Sequence, residues 1–214
     1  MNEALLTVFK KIRENPSLLL TPSREKKAEL QKFATAGAQG TGNQVTEQEA
    51  AFATTLESSG FVFLPKGALV PAEGLFYKYQ LNGTQQSIDF QVCEGTQTIN
   101  IDLKHSLSDV FYLNDGWFHP EVIYVVSWQR KTSEPRKKIV REPAVLIAYG
   151  ETIPSEEEAA LMAELLAIKA KINTEKKGVG SLHTYIRFAN RYSCERFTVD
   201  YTEELFEAVK VGLE

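Results

Sequence analysis

The sequence VIYVVSW, residues 122–128, is an apolar run bounded by turn residues, and a second such run, AVLIAYG, occupies residues 144–150. Continuous apolar runs of this length are typical of strands that are covered on both faces. We therefore expect these two strands at the centre of a sheet. Shorter strand-like runs precede them, at 61–64, 75–81, 88–93 and 98–104.

Helical patterns flank these strands on both sides. Thr46 begins a helix that continues to about Ser58, and Thr46 forms a capping box with Glu49. Three more helices are predicted at 2–14, 24–35 and 155–173. Helices before and after strands predict an α/β fold, in which helices flank a central mixed β-sheet.

The composition predicts one globular domain. The chain has 214 residues, and its hydrophobic content of 43% is enough for one sizeable core. We expect a single domain, 1–214, in which a helical N-terminal segment (1–45) precedes the core sheet (46–150) and a C-terminal part (151–214). No apolar run is long enough for a signal or a membrane span, so we expect a cytoplasmic protein with no membrane partner.

Charge and cysteine content limit which metals and which nucleic-acid contacts this chain could have. Cys93 and Cys194 are too few for a disulfide framework, and three scattered histidines form no cluster of soft metal ligands. Any metal must then be a hard cation that carboxylates hold. The net charge of −4 argues against a surface that is basic throughout, so contacts with nucleic acid would come from local patches.

The stretch SIDFQVCEGTQTINIDLKHS, residues 87–106, contains three charges that could act together. Side chains alternate along a strand, so Asp102 and Lys104 point to one side while Ile101 and Leu103 point to the other. Asp89 begins the neighbouring strand of the predicted hairpin, and its carboxylate could converge with that of Asp102. Two adjacent carboxylates repel unless a cation such as Mg²⁺ joins them. The alternative is a solvated hairpin with no chemical role.

The sequence around this hairpin resembles type II restriction endonucleases of the PD-(D/E)xK nuclease superfamily. Residues 82–85, Asn-Gly-Thr-Gln, match a polar turn that precedes the first acid in many members. Asp89 matches that first acid, and Asp102 with Lys104 matches the (D/E)xK pair. Asn114 fits the following Asn-rich loop. The resemblance covers roughly residues 75 to 128, and Ile88 departs from it where proline is frequent.

The resemblance implies a restriction-endonuclease-like core and a Mg²⁺-dependent, site-specific endonuclease that cuts double-stranded DNA and leaves 5′-phosphates. Asp89 and Asp102 would hold Mg²⁺, Lys104 would assist an attacking water, and Gln85 and Asn114 would contact DNA. A cognate DNA methyltransferase is expected in the same restriction-modification system. A homodimer would match a palindromic target, and a monomer that nicks each strand in turn is the alternative.

Other functions remain open from the sequence. A repair or junction nuclease could use the same metal site, and a noncatalytic DNA-binding or partner-binding protein could carry the same charges on a solvated hairpin. Glu49 is similarly ambiguous. Superfamily members often take a further carboxylate from a helix that precedes the sheet, and Glu49 shares a helix face with Phe52 and Leu56. It is either the acid of a capping box or a catalytic-site group.

Two segments are candidates for DNA contact. QRKTSEPRKKIVR, residues 129–141, concentrates basic side chains, among them Arg130, Lys131, Arg136, Lys137 and Lys138. Such residues bind phosphates, although a solvated charged loop has the same composition. The second segment, residues 178–197, interleaves aromatic and polar side chains, and the candidates for base contact there are Arg187, Asn190 and Arg191. Its aromatic side chains are equally compatible with a core position.

Overall fold

The computed structural model describes residues 3–21, 23–34, 44–80, 88–95, 97–114, 117–132, 140–175 and 189–213. The α-helices in these ranges are α1 (Glu3–Glu14), α2 (Arg24–Ala34), α3 (Glu47–Glu57), α4 (Glu156–Glu175) and α5 (Val199–Leu213). A 3-10 helix, Pro16–Leu20, joins α1 to α2 and begins at Pro16, a residue that is tolerated in the first turn of a helix. The strands are β1 (Val62–Phe63), β2 (Leu75–Tyr79), β3 (Phe90–Glu94), β4 (Gln97–Ser106), β5 (Val110–Asn114), β6 (Val122–Thr132), β7 (Val140–Tyr149) and β8 (Ala189–Ser193).

Six strands form the main sheet in the order β1-β2-β3-β4-β6-β7. The sheet is mixed, because β1 pairs parallel to β2 and β4 pairs parallel to β6, while the other neighbours are antiparallel. β5 and β8 form a separate antiparallel pair. The predicted α/β class with a mixed sheet and flanking helices is confirmed.

The position of β7 differs from the prediction. β6 is an inner strand, but β7, which carries the second apolar run, lies at the edge of the main sheet. Its side chains are nevertheless covered on both faces: Ile147 belongs to one hydrophobic cluster, and Leu146 and Ala148 belong to another. The continuous apolar pattern therefore reports that both faces are covered, and it carries no information on strand order.

Two hydrophobic clusters enclose the main sheet. The first lies between the sheet and the helices α1, α2, α3 and α5, and includes Phe52, Phe90 and Ile101. We call this side the helix face. The second cluster covers the opposite side, which we call the aromatic face, where Phe111 on β5 and Tyr192 on β8 pack against Phe118, whose ring contacts that of Tyr124. The small β5–β8 sheet and α5, which the sequence patterns did not reveal, close parts of these two layers.

Within the described ranges, no helix is both long enough and apolar enough to cross a lipid bilayer.

Candidate active site

The β3–β4 hairpin places Asp89 beside Asp102. Gly95 turns the chain with a positive φ of 56°, and the pairing of Phe90 with Ile101 puts the preceding residue, Asp89, opposite Asp102. The Asp89 backbone N–H donates to the Ile101 carbonyl at 3.1 Å. The Leu103 backbone N–H in turn donates to Asp89 Oδ2 at 2.8 Å. One backbone–backbone hydrogen bond and one from a backbone N–H to the carboxylate thus fix the first acid against the strand that carries the second.

Side-chain alternation along β4 agrees with the prediction, but the polar side is not solvated. Ile101 and Leu103 lie in the first cluster on the helix face, and Asp102 lies on the aromatic face beside its strand partner Tyr124. Asp102 is only 1% exposed. A solvated hairpin therefore does not describe this position, because the carboxyl group has been removed from water.

Lys104 is the cation next to this buried acid. Its Nζ donates to Asp102 Oδ1 at 2.7 Å and lies 2.6 Å from Oδ2. The Lys104 side chain is 22% exposed, so it connects the buried acid to the surface. Asp102 Oδ2 is buried, and no N–H or O–H donor among the described residues reaches it with hydrogen-bond geometry. Lys104 and Asp102 are thus in contact, but Asp102 Oδ2 still lacks a hydrogen bond of suitable geometry.

Burial raises the pKa of both aspartates, and at Asp89 the charge of Asp102 adds to this effect. Their carboxyl groups lie within hydrogen-bonding range of each other. Although Asp89 keeps a partly exposed surface, its carboxyl group is enclosed, and this burial together with the Asp102 charge raises the pKa of Asp89 to about 8. Burial also raises the pKa of Asp102, against the opposing effect of Lys104. Without a cation, the pair is expected to share a proton at neutral pH.

Glu49 turns out to be both a helix cap and a neighbour of the aspartates. One carboxylate oxygen accepts from the Thr46 backbone N–H, which completes the predicted capping box, and the other accepts from the Tyr79 hydroxyl at 2.9 Å. Burial, followed by the nearby Asp89 charge, raises the pKa of Glu49. Because both oxygens already have donors, Glu49 influences the site through its charge and is not free to coordinate a metal in this arrangement.

α3 is fixed to the sheet beside the site by a second polar contact. The Gln48 amide donates to Ser127 Oγ at 3.0 Å and to the Lys104 carbonyl at 3.3 Å. Ser127 Oγ also hydrogen-bonds His105 Nδ1 at 2.8 Å. Gln48 therefore holds the first turn of α3 against β4 and β6 at the residue that carries the ammonium group.

Gln80 is a residue of this region that sequence reasoning missed. It follows β2, and its backbone N–H donates to the Asp89 carbonyl at 2.8 Å. Its φ of 45° is unusual for a residue other than glycine. Its side-chain Nε2 donates to the Tyr79 hydroxyl at 2.8 Å, while its Oε1 is buried without a hydrogen bond among the described residues. Only the backbone angle and the unpaired oxygen single it out, and neither is visible in sequence.

The donor set suits a hard cation with few protein ligands. Asp89 and Asp102 supply adjacent carboxylates, and the buried Asp102 Oδ2, which accepts no hydrogen bond of suitable geometry from the described residues, is an acceptor that a cation would satisfy. Mg²⁺ commonly takes one or two carboxylates and completes its shell with water and substrate phosphate. No group of three or more His, Cys, Asp or Glu side chains arranged for a metal is found in the described ranges.

The described DNA-contact candidates lie away from the aspartate pair. Arg130 and Lys131 end β6, six residues beyond the Asp102 partner Tyr124, which corresponds to about 20 Å along the strand. Both are close to acids: Arg130 lies 3.9 Å from Glu142, and Lys131 lies 2.9 Å from Asp109. These ion pairs were not anticipated, because both acids lie outside the basic segment.

The remaining candidates are distributed over the small sheet and residues that are not described. Arg191 is exposed on β8 and pairs with Tyr112 on β5. The backbones of Asn114 and Asn190 belong to β5 and β8, so Asn114 ends a strand where a loop was predicted, while their side chains lie outside the description. The candidates wholly outside the described residues are Gln85, Arg136, Lys137, Lys138 and Arg187.

Neither a family model, nor a curated protein, nor a solved structure matches this chain. The features of this chain that bear on its function are therefore the geometry around Asp89, Asp102 and Lys104 and the acid-x-Lys motif in its sequence.

The raised pKa of Asp89 predicts a pH-dependent stability. A carboxyl group that binds its proton more tightly in the folded protein favours folding at low pH, and this contribution is lost as pH rises through about 8. We expect the metal-free protein to become less stable from about pH 5 to about pH 8. Asp89→Asn, with a neutral amide, should lose less stability over this interval. Urea unfolding in the presence of a chelator measures both, and identical pH dependence would contradict the shared proton.

The positive φ of Gln80 predicts that replacement by glycine destabilises the protein less than replacement by alanine. Both Gln80→Ala and Gln80→Gly remove the amide, but only glycine adopts this backbone conformation without steric cost. We expect the glycine variant to be more stable than the alanine variant by about 1 kcal/mol. Urea denaturation of the two proteins tests this, and an alanine variant as stable as the glycine variant would exclude backbone strain at Gln80.

Proposed function

We propose that this protein is a Mg²⁺-dependent endonuclease that cuts double-stranded DNA at specific sites. One observation carries the proposal: two adjacent carboxyl groups, one of them 1% exposed, share a sheet face with an ammonium group that reaches the surface. Burying two like charges is unfavourable unless a proton or cation joins them. The acid-x-Lys spacing at Asp102 and Lys104 supports the same chemistry.

Each residue has a separable role in this proposal. Asp89 and Asp102 would hold Mg²⁺, which supplies charge neutralisation at the scissile phosphate and a more acidic bound water. The Leu103 N–H orients the Asp89 carboxylate, and Lys104 orients that of Asp102. An ammonium group has three donors, so Lys104 can keep its bond to Asp102 and also hold an attacking water or a phosphate oxygen. Glu49 adds negative charge that favours retention of a cation.

The biological setting follows from the motif resemblance and belongs to the same proposal. In-line hydrolysis would leave 5′-phosphate and 3′-hydroxyl ends, and a cognate methyltransferase would protect the host DNA. Twofold-symmetric targets favour a homodimer in the cytoplasm. Digestion of several plasmids with Mg²⁺ separates the candidate functions. Discrete fragments indicate site-specific cleavage, nicks at branched structures indicate a junction nuclease, and intact DNA excludes the nuclease proposal.

We expect Asp89→Ala, Asp102→Ala and Lys104→Ala each to abolish detectable cleavage while DNA binding persists at least in part. The aspartate variants lose metal ligands, and Lys104→Ala loses a donor to water, an effect of about 10²–10⁴-fold for a group that assists proton transfer. Single-turnover cleavage measures the rate, and circular dichroism verifies the fold.

Asn100→Ala is the matched control for these variants. Asn100 precedes Asp102 by two residues on the same strand and side, and its side-chain Oδ1 accepts from Gln91 Nε2 at 3.2 Å. This variant should cleave DNA at nearly the wild-type rate. Near-normal cleavage by any of the three site variants would refute the assignment of the site.

The basic segment should contribute to binding through phosphate contacts. Replacing Arg136, Lys137 and Lys138 with alanine should weaken binding to cognate and scrambled duplexes alike, and should lower the slope of log affinity against log salt by about one per lost contact. Titrations at several salt concentrations measure the slope. A matched triple variant at exposed lysines elsewhere, Lys10, Lys32 and Lys66, should keep it. An unchanged slope and affinity in the first triple variant would assign the segment to the solvated surface.

Replacing an arginine that hydrogen-bonds a base should affect binding differently from replacing one that contacts a phosphate. Replacing Arg187 or Arg191 should cost roughly 1–3 kcal/mol at one base pair and relax specificity there, with a smaller effect on the salt slope. Arg191 is exposed on β8, so its substitution should leave the fold intact. Competition between cognate duplexes and single-base variants measures this, and a uniform loss across all sequences would instead identify a phosphate contact.

A further inference from the structure

α4 presents apolar side chains that the described helices and strands leave exposed. None of the other described helices and strands packs extensively against this 20-residue helix. Leu161 is 58% exposed and Ile168 is 53% exposed. These two residues are seven positions apart, so they lie on one side of the helix, within about 20° of each other. Exposed apolar side chains that line up in this way mark an interaction surface rather than scattered surface residues.

The two exposed residues belong to a longer apolar seam. Leu161, Leu165, Ile168 and Ile172 follow one another at intervals of four, three and four residues. This is the spacing of the core positions in a coiled coil, where each side chain inserts between residues of a facing helix. Leu165 and Ile172 are half-buried, so the seam runs along the border of the surface that the chain itself covers.

Charges beside the seam indicate which partner fits it. Glu164 and Lys171 are exposed, lie seven residues apart and flank the same edge of the seam. When two such helices run antiparallel, with Leu165 facing Ile168, the partners of Glu164 and Lys171 are Lys171 and Glu164 of the other helix. The seam is therefore complementary to itself in both shape and charge.

We propose that α4 pairs antiparallel with α4 of a second copy of this chain. Leu161 then faces Ile172 of the second copy, and Leu165 faces Ile168, which gives four apolar layers. These four layers are the two contacts, each repeated by the twofold symmetry, which also gives two Glu164–Lys171 ion pairs. A parallel pair would instead place Leu161 against Leu161 and would bring Glu164 near Lys169, with no use for Lys171.

The surface is independent of the proposed nuclease site, since it uses a different part of the chain. Two heptads make a small interface, so the dimer should dissociate on dilution. Such a dimer places two copies of the chain about a twofold axis, the symmetry that a palindromic duplex has.

Sedimentation velocity over a range of protein concentrations tests the interface without any DNA or metal. We expect the wild-type protein to show a reversible monomer–dimer equilibrium. Replacing both Leu161 and Ile168 with lysine should leave only monomer. Ala163→Lys is the matched control, because Ala163 is exposed on the opposite side of α4 and its substitution should preserve the dimer. Circular dichroism of each variant confirms that α4 remains helical.

Charge reversal tests the antiparallel register directly. Glu164→Lys alone and Lys171→Glu alone each place like charges opposite one another twice, and each should weaken dimerisation about tenfold to hundredfold. An equimolar mixture of the two variants restores both attractive pairs and should form a heterodimer. A wild-type protein that is monomeric at all concentrations would overturn the proposal. So would charge variants that dimerise normally, or a mixture in which association is not restored.

Discussion

The buried contact between Asp89 and Asp102 is the constraint around which this fold is arranged. Removal from water raises the pKa of both carboxyl groups, and the chain offsets the cost of burying them with the Leu103 N–H, the Lys104 ammonium and a shared proton. None of these partners is distant in sequence, because one hairpin supplies them all. The surrounding sheet then has to remain rigid for the two acids to stay in register.

The α/β class of the fold could be predicted from sequence, whereas the order of its strands and the small β5–β8 sheet could not. Apolar runs and capping signals located α3, α4 and the strands of the main sheet, since these patterns depend on local spacing. The order of the strands depends on contacts between distant segments, which is why the apolar run of β7 was placed at the centre when the strand lies at the edge. β5 and β8 were missed because they pair across 75 to 83 residues of chain and leave no local period.

The sequence predicts those features of the candidate site that follow from side-chain alternation in the β3–β4 hairpin. Alternation put Asp102 and Lys104 on one side of β4, and their contact follows from that spacing. The burial of Asp102 did not follow, since it depends on the assembled sheet, in which β6 places Tyr124 beside it. Glu49 had appeared to be either a cap or a site residue, yet a single carboxylate serves the cap with one oxygen and Tyr79 with the other.

The directions of β4 and β6 place Arg130 and Lys131 beyond the carboxylate pair, towards one end of the sheet. β4 and β6 run parallel, so the residues that follow Asp102 along β4 approach the end of the sheet from which Arg130 and Lys131 extend. Lys104 lies on this path and is the partly exposed member of the site, while Asp102 is enclosed. A phosphodiester backbone that contacted the β6–β7 hairpin would therefore meet the ammonium group before the acids. In the proposed nuclease, the acids would then be reached by a phosphate whose charge Lys104 already balances in part, which reduces the repulsion between the phosphate and the carboxylates.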